Sequence, residues 1–182
     1  MKFVCIFAYQ LYAFHHDDQE NNELDKLFED WTNVGYLEDF FEEHKNDLQN
    51  GFLGNITVEQ AVKRTLLNAR NLARDLLRLG KNDSGESNKT LDLLFTPLDN
   101  SEFGNITLSK QKAYGFSQDS WLRLYALKIE HGVYIITGGA IKLTPTMNER
   151  DHTAKELEKL KRCRAFLMGE GLIDNDGFKE EF

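Results

Sequence analysis

The sequence predicts an α+β protein in which an antiparallel β-sheet packs with a helical insertion and a C-terminal helix. Residues 2–14 are apolar almost throughout and rich in Phe, Val, Ile and Tyr, which is typical of a strand covered on both faces. Residues 121–144 contain short apolar runs separated by Gly-containing turns, which predicts an antiparallel meander. Because a buried strand needs hydrogen-bonded neighbours, we expect residues 2–14 to pair in the same sheet as the meander.

The chain of 182 residues is expected to form a single domain, 1–182. The sheet core and the C-terminal helix are expected at residues 1–14 and 105–168. Residues 15–80 form a helical insertion, and residues 81–104 form a loop. The insertion should contain an acidic helix at about 20–31, a second at about 34–48, and a third that begins at the capping box Thr57–Gln60 and ends at Gly80.

The C-terminal part allows more detailed boundaries. Strands are predicted at Trp121–Ile129, Val133–Thr137 and Ala140–Thr144, with Gly138–Gly139 as the two-residue turn of the second hairpin. A second capping box at Thr153–Glu156 predicts the start of the C-terminal helix.

Composition indicates a folded, cytoplasmic protein without a membrane partner. Hydrophobic residues make up 41% of the chain, enough to bury a core. The apolar N-terminal run is too short to span a bilayer, and no other stretch approaches the required ~18 apolar residues. Cys5 and Cys163 show no disulfide pattern, so we expect both to be reduced and buried.

Charge is distributed unevenly along the chain, whose formal net charge is −8. Residues 15–50 contain twelve acidic side chains and two lysines, whereas residues 105–168 contain eleven basic and six acidic ones. Solvated helix faces would explain this asymmetry. A basic surface that contacts anions beside an acidic accessory layer would explain it as well.

Familiar catalytic and metal-binding motifs do not occur in the sequence. His15, His16, Asp17 and Asp18 are consecutive and should point in different directions, so they predict no metal site. The chain has neither a nucleophile elbow nor a zinc-binding pair of histidines nor a nucleotide-binding fingerprint. No cofactor is therefore expected, and no catalytic residue is identified.

The strongest candidates for a binding site are basic and aromatic residues of the meander. Alternation along the first strand places Arg123 and Tyr125 on one side of the sheet and Lys128 on the other. Tyr134 begins the next strand, and Lys142 lies in the third. Such side chains can hold a phosphate backbone and stack on bases. Alternatively, the tyrosines belong to the core and the cations extend along it to solvent.

A short turn and a Gly-rich turn separate the runs Leu122–Ile129, Val133–Ile136 and Ala140–Leu143, and a helix rich in Lys, Leu and Arg follows them. This arrangement resembles the C-terminal part of RelE/HigB-type toxins of the RelE/ParE superfamily. The resemblance covers residues 107–168. It implies a bacterial protein that acts on ribosome-bound messenger RNA and is neutralised by an antitoxin. It also implies that Arg123, Lys128 and Tyr134 contact RNA. Ile135 stands where that family commonly has an arginine.

Two functions follow from these observations. The first is a toxin-like protein acting on RNA or the ribosome, with Arg123, Lys128, Lys142 and Tyr134 as RNA-binding residues; the resemblance implies ribosome-dependent endoribonuclease activity, although no general base is evident. The second is a catalytically inactive protein–protein interaction module, whose acidic helices at 20–48 bind a basic partner or cover the basic sheet.

Overall fold

A computed structural model of the chain describes residues 1–8, 10–50, 54–80, 91–98, 108–116, 120–129 and 132–172. The strands are β1 (Lys2–Phe7), β2 (Leu11–His15), β3 (Thr96–Pro97), β4 (Ser109–Ala113), β5 (Leu122–Ile129) and β6 (Val133–Ile141). The α-helices are α1 (Glu23–Thr32), α2 (Val34–Glu43), α3 (Lys45–Asn50), α4 (Val58–Gly80) and α5 (Asp151–Gly169). Short 3-10 helices occupy Leu91–Leu93 and Met147–Glu149.

The six strands form one sheet in the order β1-β2-β6-β5-β4-β3. All neighbours are antiparallel except β2 and β6, which are parallel, with Leu11 opposite Tyr134. This architecture confirms the predicted α+β class and the pairing of the N-terminal segment with the meander. The single strand predicted at residues 2–14 is instead a hairpin, in which Gln10 donates to the Phe7 carbonyl. The turn contains neither Gly nor Pro, so composition did not reveal it.

Helices cover both faces of the sheet, which explains why its central strands are apolar on both sides. One face packs against α1, α2 and α4, and the other packs against α5. The first layer buries Leu11, Ala13, Leu124, Ala126 and Ile136 of the sheet, and the second buries Tyr12, Phe14, Tyr125, Leu127 and Ile135.

The predicted hairpin turn at Gly138–Gly139 is wrong, because β6 continues through both glycines. A Cβ at Gly139 would lie 2.6 Å from the Arg123 carbonyl oxygen and 2.9 Å from Leu27 Cδ1. Gly138 has φ +154°, and a Cβ there would overlap the Glu156 carboxylate. The glycines therefore allow close approach of neighbouring elements. β4, which pairs with β5, is the third strand of the antiparallel meander.

One predicted capping box is confirmed and the other is wrong. Gln60 N–H donates to Thr57 Oγ1 at 3.2 Å, and Thr57 N–H donates to Gln60 Oε1 at 3.0 Å, at the start of α4. Thr153 instead lies inside α5, where its hydroxyl donates to the Arg150 carbonyl at 2.9 Å. A capping box instead begins the preceding 3-10 helix, Met147–Glu149, where Glu149 accepts from Thr146 N–H at 2.7 Å.

Several other boundaries differ from those predicted. The first acidic helix is confirmed as α1, but the helix expected at 34–48 is divided at His44 into α2 and α3. Residues 91–98 of the predicted loop contain a 3-10 helix and β3, while most of 81–104 lies outside the described residues. Cys163 is buried as expected, whereas Cys5 is exposed because β1 is an edge strand. Within the described ranges, no helix is long and apolar enough to cross a membrane.

Candidate anion-binding site

Two of the four predicted RNA-binding residues, Arg123 and Lys142, line the same cavity. Arg123 lies near the start of β5, opposite Ala140 of β6. Lys142 directly follows β6, and its N–H donates to the Trp121 carbonyl at 2.8 Å. Both side chains point to the α5 side of the sheet, and Leu157 of α5 lines the cavity with them.

A third cation, Lys112 of β4, lines this cavity, which has a volume of about 620 Å³. Lys112 lies opposite Tyr125 of β5, so the two side chains share a face. The remaining walls include the apolar side chains Leu98, Met147 and Leu157. A volume of this order is typical of pockets that hold small ligands. We refer to it as the basic pocket.

The three cations of the basic pocket donate to backbone carbonyls. Lys112 Nζ lies 3.1 Å from the Leu98 oxygen, and Lys142 Nζ lies 2.6 Å from the Pro145 oxygen. Arg123 Nη1 donates to the Ser120 oxygen at 2.7 Å. Among the described residues, none of these cations forms an ion pair with a carboxylate. Their charges therefore remain available to an anion.

The three neighbouring positive charges of the pocket and their burial affect the pKa values of its side chains. Burial lowers the pKa of Lys142, and the neighbouring charges of Arg123 and Lys112 lower it further. Burial also lowers the pKa of Arg123. Like charges repel, and burial removes solvent that would stabilise them. A bound anion would therefore stabilise the protonated forms of these side chains.

Two tyrosines complete the pocket. Tyr125 is 1% exposed, and among the described groups its hydroxyl has no hydrogen-bond partner. A buried hydroxyl normally has a partner, whereas this one lines the pocket without a described partner. Tyr114 is 37% exposed at the rim, and the Arg123 guanidinium lies 4.8 Å from its ring centroid. An exposed ring of this kind offers a surface on which a base could stack.

The other two predicted residues, Lys128 and Tyr134, lie near the opposite end of β5 and face the α4 side of the sheet. Lys128 Nζ lies 2.6 Å from Asp92 Oδ1, and the Tyr134 hydroxyl donates to the same oxygen at 2.5 Å. The Tyr134 ring stacks on Phe95 at 4.5 Å. Both side chains thus have intramolecular partners, and the structure does not bring them to the basic pocket.

No family model, curated protein or solved structure matches the chain.

The chemistry available in the basic pocket is charge stabilisation and hydrogen-bond donation. Its described lining includes no carboxylate and no imidazole that could act as a general base. Elsewhere, His15 contacts the Gln19 carbonyl and Asp17 pairs with the N-terminal amine. No group of three or more potential ligands in the described part of the chain could hold a metal ion.

Lys112 and Tyr114 were not recognised from the sequence. The run Ser109–Ala113 carries Lys110 and Lys112 two residues apart, a spacing that places both lysines on one face of a strand. The spacing of these two lysines does not reveal the strand with which β4 pairs. It is the pairing of β4 with β5 that places Lys112 beside Arg123 and Tyr125.

Proposed function

We propose that this protein binds RNA, free or on the ribosome, and acts as the toxin of a toxin–antitoxin pair. The observation that carries the proposal is the convergence of Lys112, Arg123 and Lys142, without carboxylate partners among the described residues, beside the unpartnered hydroxyl of Tyr125. Phosphate oxygens would satisfy both the charges and the hydroxyl donor.

The shape of the pocket favours single-stranded or looped RNA. A phosphate at the cations would place the adjacent base near Tyr114, whose exposed ring can stack on any base. Such contacts depend little on sequence, because the backbone and the π-face are common to all nucleotides. Cleavage would additionally require a general base from outside the described pocket lining.

The proposal is tested by replacing Lys112, Arg123 and Lys142 together with alanine. We expect the slope of log K against log salt for single-stranded RNA to fall by about two units, because each lost phosphate contact removes about 0.7. Growth arrest on induction of the wild-type chain should be relieved by the same variant. RNA and ribosome binding are measured at several salt concentrations with purified full-length protein.

A matched control replaces Lys63, Arg70 and Arg74 with alanine. These exposed cations lie on α4, on the opposite face of the sheet, and their loss changes the net charge by the same amount. We expect the control variant to bind RNA like the wild type. Equal losses in both variants would indicate only general electrostatic attraction. If wild-type induction is harmless and the protein ignores RNA and ribosomes at low salt, the proposed function is wrong.

The acidic surface of α1 and α2 supports the second candidate function, a catalytically inactive interaction module. Lys26 is the only basic residue in these two helices. Their exposed acids are Asp25, Glu29, Glu38, Asp39, Glu42 and Glu43. A basic protein, such as an antitoxin, would complement this surface. A stable, salt-sensitive protein complex formed without any RNA binding would favour this candidate.

A further inference from the structure

The basic pocket gathers its three cations in one place. Lys112, Arg123 and Lys142 come from β4, from β5 and from the residue after β6, and these three strands are neighbours in the sheet. Lys112 lies opposite Tyr125, and Arg123 precedes Tyr125 by two residues on the same face. Proteins that follow a continuous RNA strand distribute their cations along a groove. Convergence on one pocket indicates instead a single, highly charged group.

Several segments of the chain enclose the pocket. Leu98 follows β3, Pro145 and Met147 come after β6, and Leu157 belongs to α5. The volume of about 620 Å³ lies within the range of roughly 300–1,000 Å³ that is usual for pockets of small ligands. An enclosed pocket of this size suits the end of a strand, or a single nucleotide, better than a strand that must enter and leave.

The charges of the pocket call for a ligand with more than one negative charge. Burial lowers the pKa of Lys142, and the charges of Arg123 and Lys112 lower it further, whereas that of Glu149 raises it. The Glu149 carboxylate accepts from the N–H and the hydroxyl of Thr146 and does not line the pocket. An internal phosphodiester carries one negative charge, whereas a phosphomonoester carries about 1.5 to 2 at neutral pH. The monoester therefore offsets more of the repulsion among the cations.

Hydrogen-bond donors also match a terminal phosphate. Both bonds from the Arg123 guanidinium to described residues use Nη1, which donates to the Ser120 and Leu122 carbonyls at 2.7 Å. Nη2 and Nε remain as a planar pair of donors of the kind that binds phosphate in a bidentate manner. Tyr125 is 1% exposed, and its hydroxyl lacks a partner among the described groups, which indicates an absent acceptor. A phosphomonoester presents three acceptor oxygens, one more than a phosphodiester.

We propose that the basic pocket binds a phosphomonoester, either the phosphorylated end of an RNA strand or a free nucleotide, in preference to an internal phosphodiester. Lys112, Arg123 and Lys142 contact its oxygens, and the attached base stacks on the exposed ring of Tyr114 at the rim. The inference rests on the proposed function, because it takes the ligand of the pocket to be a nucleotide.

The test compares the affinity of the full-length protein for four forms of one short adenylate RNA. The strand carries hydroxyl groups at both ends, a 5′-phosphate, a 3′-phosphate, or the methyl ester of the 5′-phosphate or 3′-phosphate that binds better. We expect one phosphorylated strand to bind at least about tenfold more tightly than the hydroxyl strand, the effect of one further charged hydrogen bond. Methylation should remove most of this gain, because the ester keeps the phosphate but carries a single charge.

Variants of Lys142 locate the preference in the pocket. Lys142→Gln should reduce the preference for the phosphorylated strand to within about threefold, whereas Lys142→Arg keeps the charge and should keep the preference. The matched control is Lys155→Gln, which removes one charge from an exposed position of α5 outside the pocket lining. It should bind every strand like the wild type. The comparison of the monoester with its methyl ester uses the wild-type protein, so it does not depend on the folding of any variant.

Adenosine monophosphate, with adenosine as its uncharged control, distinguishes the two sources of the phosphate. Binding of the nucleotide as tight as that of the phosphorylated RNA identifies a free nucleotide as the ligand, and weaker binding identifies an RNA end.

The outcomes separate this inference from the proposed function. Equal binding of all four strands, lost in the variant with alanine at residues 112, 123 and 142, would overturn the inference and leave RNA binding intact. A preference for the phosphorylated strand that persists fully in Lys142→Gln would also overturn it. Tight binding of adenosine monophosphate without RNA binding or growth arrest would support the phosphomonoester site and contradict the proposed function.

Discussion

At the scale of single residues, Tyr125 and Tyr134 show how similar side chains acquire different roles. Both are buried in the sheet at 1% exposure. The Tyr134 hydroxyl donates to Asp92, and burial together with this bond raises its pKa. The Tyr125 hydroxyl has no partner in the described structure, and burial raises its pKa as well. The Tyr134 hydroxyl therefore stabilises the fold, whereas the buried hydroxyl of Tyr125 leaves a hydrogen bond unmade within the described structure.

Replacing each tyrosine with phenylalanine should separate these roles. Tyr134→Phe should lower the free energy of unfolding by about 1 kcal/mol, since it removes a hydrogen bond to a half-exposed carboxylate. Tyr125→Phe should leave the free energy of unfolding unchanged or raise it by up to about 1 kcal/mol, and should weaken RNA binding several-fold. Urea denaturation and RNA titration measure the two effects. A destabilised Tyr125→Phe variant would indicate that its hydroxyl has an internal partner after all.

At the scale of elements, the junction between α2, α3 and α5 depends on His152. The His152 ring packs edge-on against Phe40 at 5.2 Å and against His44 at 4.9 Å, and its Nε2 donates to the Ile141 carbonyl at 2.9 Å. Beside it, Arg150 Nε donates to Asp47 at 2.8 Å, which ties α5 to α3.

Burial lowers the pKa of His152, and the charge of His44 lowers it further, so the folded state favours the neutral ring. In the unfolded chain the pKa of His152 is about 6.5, so below this pH the unfolded chain binds more protons than the folded protein. The contribution of His152 to stability is therefore fully present above about pH 6.5 and is lost as the pH falls through the lower pKa of the folded state. We expect the free energy of unfolding to decrease from pH 7 to pH 5, and His152→Gln to reduce that slope.

Urea denaturation at pH 7, 6 and 5 measures this dependence. His15→Gln provides a control from a half-buried histidine at the end of β2, and it should retain most of the wild-type slope. A His152→Gln variant with the full wild-type slope would assign the pH dependence to other groups.

At the scale of the whole molecule, the sheet is enclosed by helices on both faces, and its edges are β1 and β3. One cysteine lies at an edge of the sheet and the other lies under a helix that covers it. Cys5 is exposed on β1, whereas Cys163 lies on the face of α5 that packs against the sheet. Burial raises the pKa of Cys163 to about 12, so its reactive thiolate is scarce at neutral pH.

A thiol reagent such as DTNB should therefore label one cysteine per chain under native conditions and two in denaturant. Cys5→Ser should abolish the native labelling without changing the midpoint of urea unfolding, because β1 is an edge strand. Labelling of Cys163 at a rate close to that of Cys5 would contradict the packing of α5 on the sheet.

The sequence by itself determined those features that depend on local periodicity. The apolar run at residues 2–14 indicated that this segment belongs to the sheet, although not that it forms the hairpin of β1 and β2, and the capping box at Thr57 located the start of α4. The period of two along β5 placed Arg123 and Tyr125 on one face and Lys128 on the other. These patterns depend on backbone geometry within one element, so no knowledge of its neighbours was needed.

Only the tertiary structure decided how the elements meet. Gly138 and Gly139 are suited to a tight turn, yet they lie within β6, where their lack of a side chain allows the close approach of α1 and α5. The pairing of β4 with β5 brings Lys112 into the same pocket as Arg123 and Lys142. Strand register and layer packing arise from contacts between residues distant in sequence, which local propensity does not encode.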